Sequence, residues 1–353
     1  MKGVLWYQAK DVRVEEIPEP QVKEGTVKIK VKWAGICGSD LHEYLVGPIF
    51  IPVKEPHPLT KDKAPIVLGH EFSGEVTEIG EGVTQVSVGD RVAVEPIYAC
   101  GECVPCRAGH YNVCEQLGFH GLAGGGGGFA EYTVVNENMV HKLPDNMSYE
   151  QGALVEPAAV ALHAVRQSKF KPGDTAAVFG TGPIGLLTIQ ALKAAGASKV
   201  FVVELSEERR NLAKKIGADV ILNPAEVDAV QEIKHLTNDL GVEVSFDAAG
   251  VGPTLNGAIQ STRFDGQVVI ISIWEDTASI PPNELVLKER DMIGVLAYRN
   301  IFPSVIKLIS EGQMKAEDLI TKKIMIDDIE KEGFEALVND KSHVKILVKP
   351  RND

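Results

Sequence analysis

"TAAVFGTGPIGLLTIQALKAAG" (residues 175–196) decides the fold. A β-branched, apolar run ends in Gly180, Gly182 and Gly185, and an apolar helical pattern opening with Pro183 and Ile184 follows at once. Glycines spaced G-x-G-x-x-G form ordinary turns in many proteins. Between a strand and a helix they do more: they allow a tight turn, let backbone approach a pyrophosphate, and aim helix N-terminal amides at negative charge. The next strand, "KVFVVEL" (199–205), carries Glu204 near its end. An acid there accepts hydrogen bonds from the ribose hydroxyls of NAD and repels the 2′-phosphate of NADP. Arg209, a turn into the following helix, reads either as a cover for the adenine face or as an exposed helix cation.

Downstream, "DVIL", a polar helix over 226–237, "VEVSFDAAG", another helix and "GQVVIISI" continue the alternation. Apolar strands alternating with helices predict a parallel sheet covered on both faces. Upstream the pattern is all-β: "TVKIKVKWAGI" (26–36), "EFSGEVTEIG" (71–80), "DRVAVEPI" (90–97) and "FAEYTVV" (129–135), punctuated by Gly, Asp and Pro. Residues 149–168 have helical periodicity, with Pro157 near a helix start. After about residue 285 strands and helices mix, and this tail is expected to rejoin the first part. The 353 residues exceed one ordinary core. The expected division is a first domain of residues 1–155 with 286–353 returning to it, and a nucleotide domain over 156–285. "GGGGG" (124–128) reads as a flexible turn, or as backbone brought close to a ligand.

A hydrophobic content of 44% and a charged content of 24% place the chain among soluble globular proteins. A formal net charge of −13 argues against nucleic acid and suits small-molecule partners. No apolar run reaches signal-peptide or membrane-spanning length, so a cytoplasmic location and no membrane partner are expected.

In a reducing compartment, clustered cysteines point to metal rather than disulfides. "CGECVPC" (100–106) and the later Cys114 set Cys100, Cys103, Cys106 and Cys114 in one loop. Four thiolates close a tetrahedron around structural zinc. A 4Fe–4S run closes with a shorter final spacing and a following Pro, whereas Glu115 follows Cys114 here. A saturated ion cannot act as a Lewis acid, so a reacting metal must lie elsewhere. "GICGSDLHEY" supplies Cys37, Ser39, Asp40 and His42; "LGHEFSGE" supplies His70 and Glu71; "LVEPAAVALHAV" supplies Glu156. Thiolate, imidazole and carboxylate make a mixed set suited to catalytic zinc with one open position. His120 and His163 read as structural or surface residues. Each ligand candidate also has a plain reading as a buried Cys, a core His or a surface Glu. The nicotinamide-type fingerprint favours the site, because hydride transfer from an alcohol first requires loss of its proton.

"GHEFSGEVTEIGEGVTQVSVGDRV", the four-cysteine loop and "GTGPIG" together resemble the zinc-containing medium-chain alcohol and polyol dehydrogenases over essentially the whole chain. "PHPLTKDKAPIVLGHEF", "GLAGGGGGFAEY", "SIWE" and the insert between Cys37 and His70 are most similar to the (R,R)-2,3-butanediol dehydrogenase subgroup, with sorbitol dehydrogenases next. The resemblance implies a GroES-like catalytic domain plus a Rossmann doubly wound parallel-sheet domain. It implies an NAD-dependent zinc enzyme with a diol or hydroxyketone substrate and two zinc ions per chain. Cys37 and His70 would bind the catalytic ion, with Glu71, Glu156 or both in turn completing the set. One carboxylate is expected to ligate directly while the other reaches the metal-bound water. Asp40 would orient the imidazole, and Ser39 and His42 would relay a proton. A homodimer or homotetramer is implied, joined near "GQVVIISI". Polyol oxidation is the alternative activity, and a non-catalytic, NAD-binding zinc-knuckle protein is the alternative of another class.

Overall fold

The computed structural model describes residues 1–351, which form two compact units. Residues 157–301 and 311–319 make up the nucleotide-type unit. Its sheet has six strands, all parallel: Thr175–Phe179, Lys199–Val203, Val220–Leu222, Val242–Asp247, Thr262–Ile270 and Asp291–Gly294. In order of appearance they lie 3-2-1-4-5-6 across the sheet, the doubly wound order of dinucleotide-binding folds. Ala177, Phe201, Val242, Val244 and Val268 are fully or almost fully buried between the sheet and its helices.

The chain leaves this unit later than residue 286, because Asp291–Gly294 still adds the sixth strand. That pairing also corrects which strand is last in the sheet. Residues 266–273 overlap Thr262–Ile270, which is covered on both sides, and the sheet edge is Asp291–Gly294.

The other unit comprises residues 1–156, 302–310 and the chain from 320 onward. Strand Thr26–Gly35 is its spine, pairing antiparallel with Glu71–Ile79, Tyr132–Asn136 and the C-terminal Lys345–Lys349. A hairpin of Lys2–Gln8 and Asp11–Glu16, absent from the sequence reading, adds Trp6 to a core with Phe72, Phe129 and Phe334. The helical stretch 149–168 forms as two helices, Tyr149–Ala153 and Val155–Gln167, and Pro157 sits in the first turn of the second.

The "GGGGG" run has a reason for glycine that its composition does not announce. It is backbone packed too closely for side chains. A Cβ on Gly126 would lie 2.7 Å from Thr133 Oγ1, and one on Gly128 would lie 2.7 Å from Phe72 Cδ1. The Gly128 N–H donates to the carbonyl of Gly69 at 2.7 Å. The run thus braces the residue immediately before His70.

Candidate active site and metal centres

The four-cysteine loop brings its sulfurs together. Cys114 Sγ lies 3.5 Å from Cys100 Sγ and 3.9 Å from Cys103 Sγ, and Cys100 lies 4.0 Å from Cys106. The edge of a tetrahedron with metal–sulfur bonds of about 2.3 Å is about 3.8 Å, so the donor set fits zinc. A disulfide would need about 2.05 Å, and all five cysteines are free. Backbone N–H groups of Cys100, Cys103 and Gln116 point at the sulfurs at 3.2–3.3 Å, which favours thiolates. Tyr111, inside the loop, donates to the buried Glu95 at 2.6 Å, and Glu95 also meets His141 at 3.0 Å. Cys103→Ser is expected to lower bound zinc by one ion per chain and to expose the 100–114 loop to protease, because metal binding supplies the order this loop lacks by itself. Elemental analysis with limited proteolysis checks both.

The second cluster forms around a helix start. Cys37 is the N-cap of Gly38–Val46, and its backbone N–H donates to Asp40 Oδ2 at 2.9 Å. Asp40 is fully buried, and its other oxygen faces His70 Nδ1 at 3.5 Å, an ionic rather than a hydrogen-bonding distance. One carboxylate thereby ties the backbone of Cys37 to the ring of His70. The opposite ring nitrogen, Nε2, lies 3.1 Å from Ser39 Oγ. His42 is on the same helix, and both it and Ser39 are half-buried.

Glu71 begins the strand that pairs with Thr26–Gly35, directly opposite Gly35. A Cβ on Gly35 would lie 2.2 Å from Glu71 Oε2, so only glycine leaves room for this carboxylate. Cys37, His70 and Glu71 each place a ligand atom within 4.8 Å of the other two. Glu156 is buried but does not belong to that group.

The carboxylate of Glu71 already has a counterion. Lys345 Nζ donates to its oxygens at 2.6 and 2.8 Å and to the Ile36 carbonyl at 2.9 Å. Both side chains are essentially inaccessible to solvent. Burial opposes the charge on Lys345, yet attraction from Glu71, and further from Cys37 and Glu156, leaves its pKa above the ordinary lysine value. His70 behaves likewise: burial opposes its cation, but Asp40 and Cys37 raise its pKa well above the usual imidazole range. Acidic groups therefore surround the histidine in surplus. A site that draws a proton onto a buried imidazole is short of positive charge, which is the electrostatic demand a divalent cation meets.

In the nucleotide-type unit each fingerprint glycine has its own reason. Gly180 has φ +90°, and a Cβ there would also lie 2.8 Å from Ala249 Cβ. A Cβ on Gly185 would lie 2.0 Å from the Gly180 carbonyl oxygen. Around Gly182, the N-cap of Pro183–Ala194, nothing lies within 4 Å. The turn is thus closed at its ends and open where a pyrophosphate would approach. Glu204 accepts hydrogen bonds from Thr181 N and Oγ1 and from Ser206 N, each at 2.8 Å. Burial raises its pKa, but those hydrogen bonds outweigh it, so the carboxyl titrates below its ordinary value. Arg209 is half-buried with its Nε unpartnered.

Residues 23–145 match the alcohol dehydrogenase GroES-like domain, and residues 183–311 match the zinc-binding dehydrogenase domain. The chain is 58% identical to the (R,R)-butanediol dehydrogenase of Bacillus subtilis (strain 168), over 99% of this chain and all of that one. This chain belongs to the zinc-dependent alcohol dehydrogenase family. The crystal structure of 2R,3R-butanediol dehydrogenase from Bacillus subtilis matches the dehydrogenase with a TM-score of 0.94 at 58% identity, covering 99% of each chain. The sorbitol dehydrogenase of Bacillus subtilis (strain 168) is 37% identical over 99% of the dehydrogenase and 97% of its own length. Membership sets aside a non-catalytic zinc-knuckle protein. No helix among the described residues is long and apolar enough to cross a membrane.

Sequence reading missed one member of the dehydrogenase's site, Lys345. Its signal was present: a lysine in the otherwise apolar strand "VKILV", where alternation alone would leave it on a solvated face. The two histidines set aside are both buried. His120 lies between Tyr98 and Thr133 at 2.8 and 2.7 Å, and burial pushes its pKa down to about 3. Burial, then Arg299 and Arg166, lower His163 to about 4. Both are neutral core residues.

Proposed function

We propose that this dehydrogenase interconverts (R,R)-2,3-butanediol and acetoin with NAD(H). The carrying observation is the convergence of Cys37, His70 and Glu71, whose ligand atoms lie within 4.8 Å of one another; the full-length likeness to a butanediol dehydrogenase supports the choice of substrate. Cys37, His70 and Glu71 would hold a catalytic zinc, and Cys100, Cys103, Cys106 and Cys114 a structural one. A zinc ion at the first site would supply the Lewis acidity that lowers the pKa of an alcohol and polarises a carbonyl. Bound NAD would supply the hydride acceptor.

The chain's own residues prepare that chemistry. Asp40 beside Nδ1 fixes the ring of His70 so that Nε2 faces the ligand position. Lys345 offsets the charge of Glu71, so a thiolate and a carboxylate do not over-neutralise the ion. Glu156 contributes its charge through the same lysine and is kept for the water or the second hydroxyl. Ser39 Oγ receives the substrate proton. Its own pKa is too high for it to be the final base, so the proton moves on, and His42 on the same helix delivers it to solvent. Glu204 and Arg209 would take the ribose and adenine of NAD. Glu204→Ala is expected to narrow the preference for NAD over NADP by about tenfold or more, since one repulsive charge is removed. Steady-state kinetics with both cofactors checks this.

The test of the reaction is product analysis. Pure protein with NADH and racemic acetoin is expected to create only R carbinol centres, giving (R,R)-butanediol from one enantiomer and meso-butanediol from the other on a chiral column. New S centres, or no consumption of acetoin, would overturn the proposal.

A further inference from the structure

The parallel sheet carries a buried acid with no role in the chemistry above. Asp247 ends the strand Val242–Asp247 and is fully buried. Burying a carboxyl group is costly unless hydrogen bonds replace those it made to water. Here the replacements come from three separate segments. Oδ1 accepts the Thr254 hydroxyl at 2.7 Å, from the first turn of helix Gly252–Ser261. Oδ2 accepts the Ser272 hydroxyl at 2.7 Å, from the loop after Thr262–Ile270, and the Gly250 N–H at 3.3 Å, from the loop after its own strand. The Asp247 carbonyl also accepts the Ile271 N–H at 3.0 Å. Gly250 has φ +73°, and a Cβ there would lie 3.0 Å from the Ile273 carbonyl oxygen, so the two loops meet backbone to backbone.

Position gives this clamp its meaning. The fingerprint strand Thr175–Phe179 lies between Lys199–Val203 and Val242–Asp247. Asp247 is in register with Phe179, the residue immediately before Gly180. The Ala248 N–H donates to the Phe179 carbonyl at 2.9 Å, and a Cβ on Gly180 would lie 2.8 Å from Ala249 Cβ. The clamped loop therefore abuts the turn that would take the pyrophosphate. A dinucleotide in a doubly wound fold lies across the carboxyl ends of the strands, on both sides of that turn. Glu204 follows the strand on one side and suits the adenosine ribose. The other half of the cofactor is left to the strand ends on the opposite side, where Asp247 stands.

We propose that Asp247 is a positioning residue for the nicotinamide half of the cofactor, locking the loops after the fourth and fifth strands in the arrangement that receives the ring. This rests on the reading of the enzyme as NAD-dependent. Asp247 acts through the loops rather than by contact. It spares the binding step the cost of ordering them.

The test compares NADH with ADP-ribose, which lacks only the nicotinamide ring, by calorimetric titration of zinc-loaded wild type, Asp247→Ala, Asp247→Asn and Ser272→Ala. A protein whose receptive arrangement is populated about a tenth of the time binds about tenfold more weakly. Asp247→Ala is expected to lose about that factor for NADH while its affinity for ADP-ribose stays unchanged. Asp247→Asn should recover most of the loss, because its amide can donate to the Thr254 hydroxyl while its oxygen keeps the other two bonds. Ser272→Ala removes one bond without altering Asp247. It should lose part of the NADH affinity and none of that for ADP-ribose, which keeps the inference falsifiable even if Asp247→Ala fails to fold. Equal weakening of both ligands, the mark of general support for the unit, would overturn the inference, as would unchanged NADH affinity in the variants that fold. A wild type that binds neither ligand would overturn the NAD reading itself.

Discussion

Replacing Lys345 with methionine is expected to destabilise the zinc-free protein by about 3–5 kcal/mol, the usual consequence of leaving a buried charge without its partner. The cause is local. Glu71 is fully buried, Gly35 leaves its carboxylate no slack, and the ammonium of Lys345 is the cation bonded to both its oxygens. A bound divalent ion can take over the charge of Glu71, so the loss should be smaller in the zinc-loaded protein. The pair Lys345→Met with Glu71→Gln should recover much of the stability by removing the stranded charge. Urea unfolding of metal-free and zinc-loaded samples gives all the values. A metal-free loss below about 1 kcal/mol, the size of an exposed ion pair, would show that Lys345 does not compensate Glu71.

The second large effect is on the reaction. Cys37→Ser is expected to lower kcat by roughly a thousandfold or more, because losing the Lewis acid removes several kcal/mol of barrier reduction and each 1.4 kcal/mol is about tenfold. NADH binding, followed by fluorescence, should persist, since the fingerprint turn and Glu204 belong to the other unit. One zinc ion per chain, the one proposed for the four-cysteine loop, should also remain. Retention of more than about a tenth of wild-type turnover, with no metal beside His70, would remove Cys37 from the proposed ligand set.

Much of this organisation could be read from local patterns. The strand–turn–helix form of the fingerprint reads correctly because its three glycines, the strand before and the helix after lie within some twenty residues. The four-cysteine loop reads for the same reason: the spacing that converges the sulfurs is a property of one loop. Cys37, His70 and Glu71 were legible as residue types suited to a metal, but their convergence depends on register between strands. What stayed hidden depends on partners far along the chain. Lys345 lies 274 residues from Glu71, and nothing near "HVKILV" says that its lysine points inward. Asp247 looks like one more strand-end acid until Ser272, 25 residues on, folds back onto it. The glycine run misled for a related reason, since its composition suggests flexibility while its use is close packing against Phe72 and Thr133. The edge of the parallel sheet was misjudged because its last strand, Asp291–Gly294, is four residues long and barely marked in composition.

The C-terminal strand Lys345–Lys349 zips between Thr26–Gly35 and Ile320–Met325. On a translating ribosome, then, Cys37, His70 and Glu71 emerge long before the cation that neutralises them. The buried ion pair between Glu71 and Lys345 can close only when that strand has docked beside Thr26–Gly35.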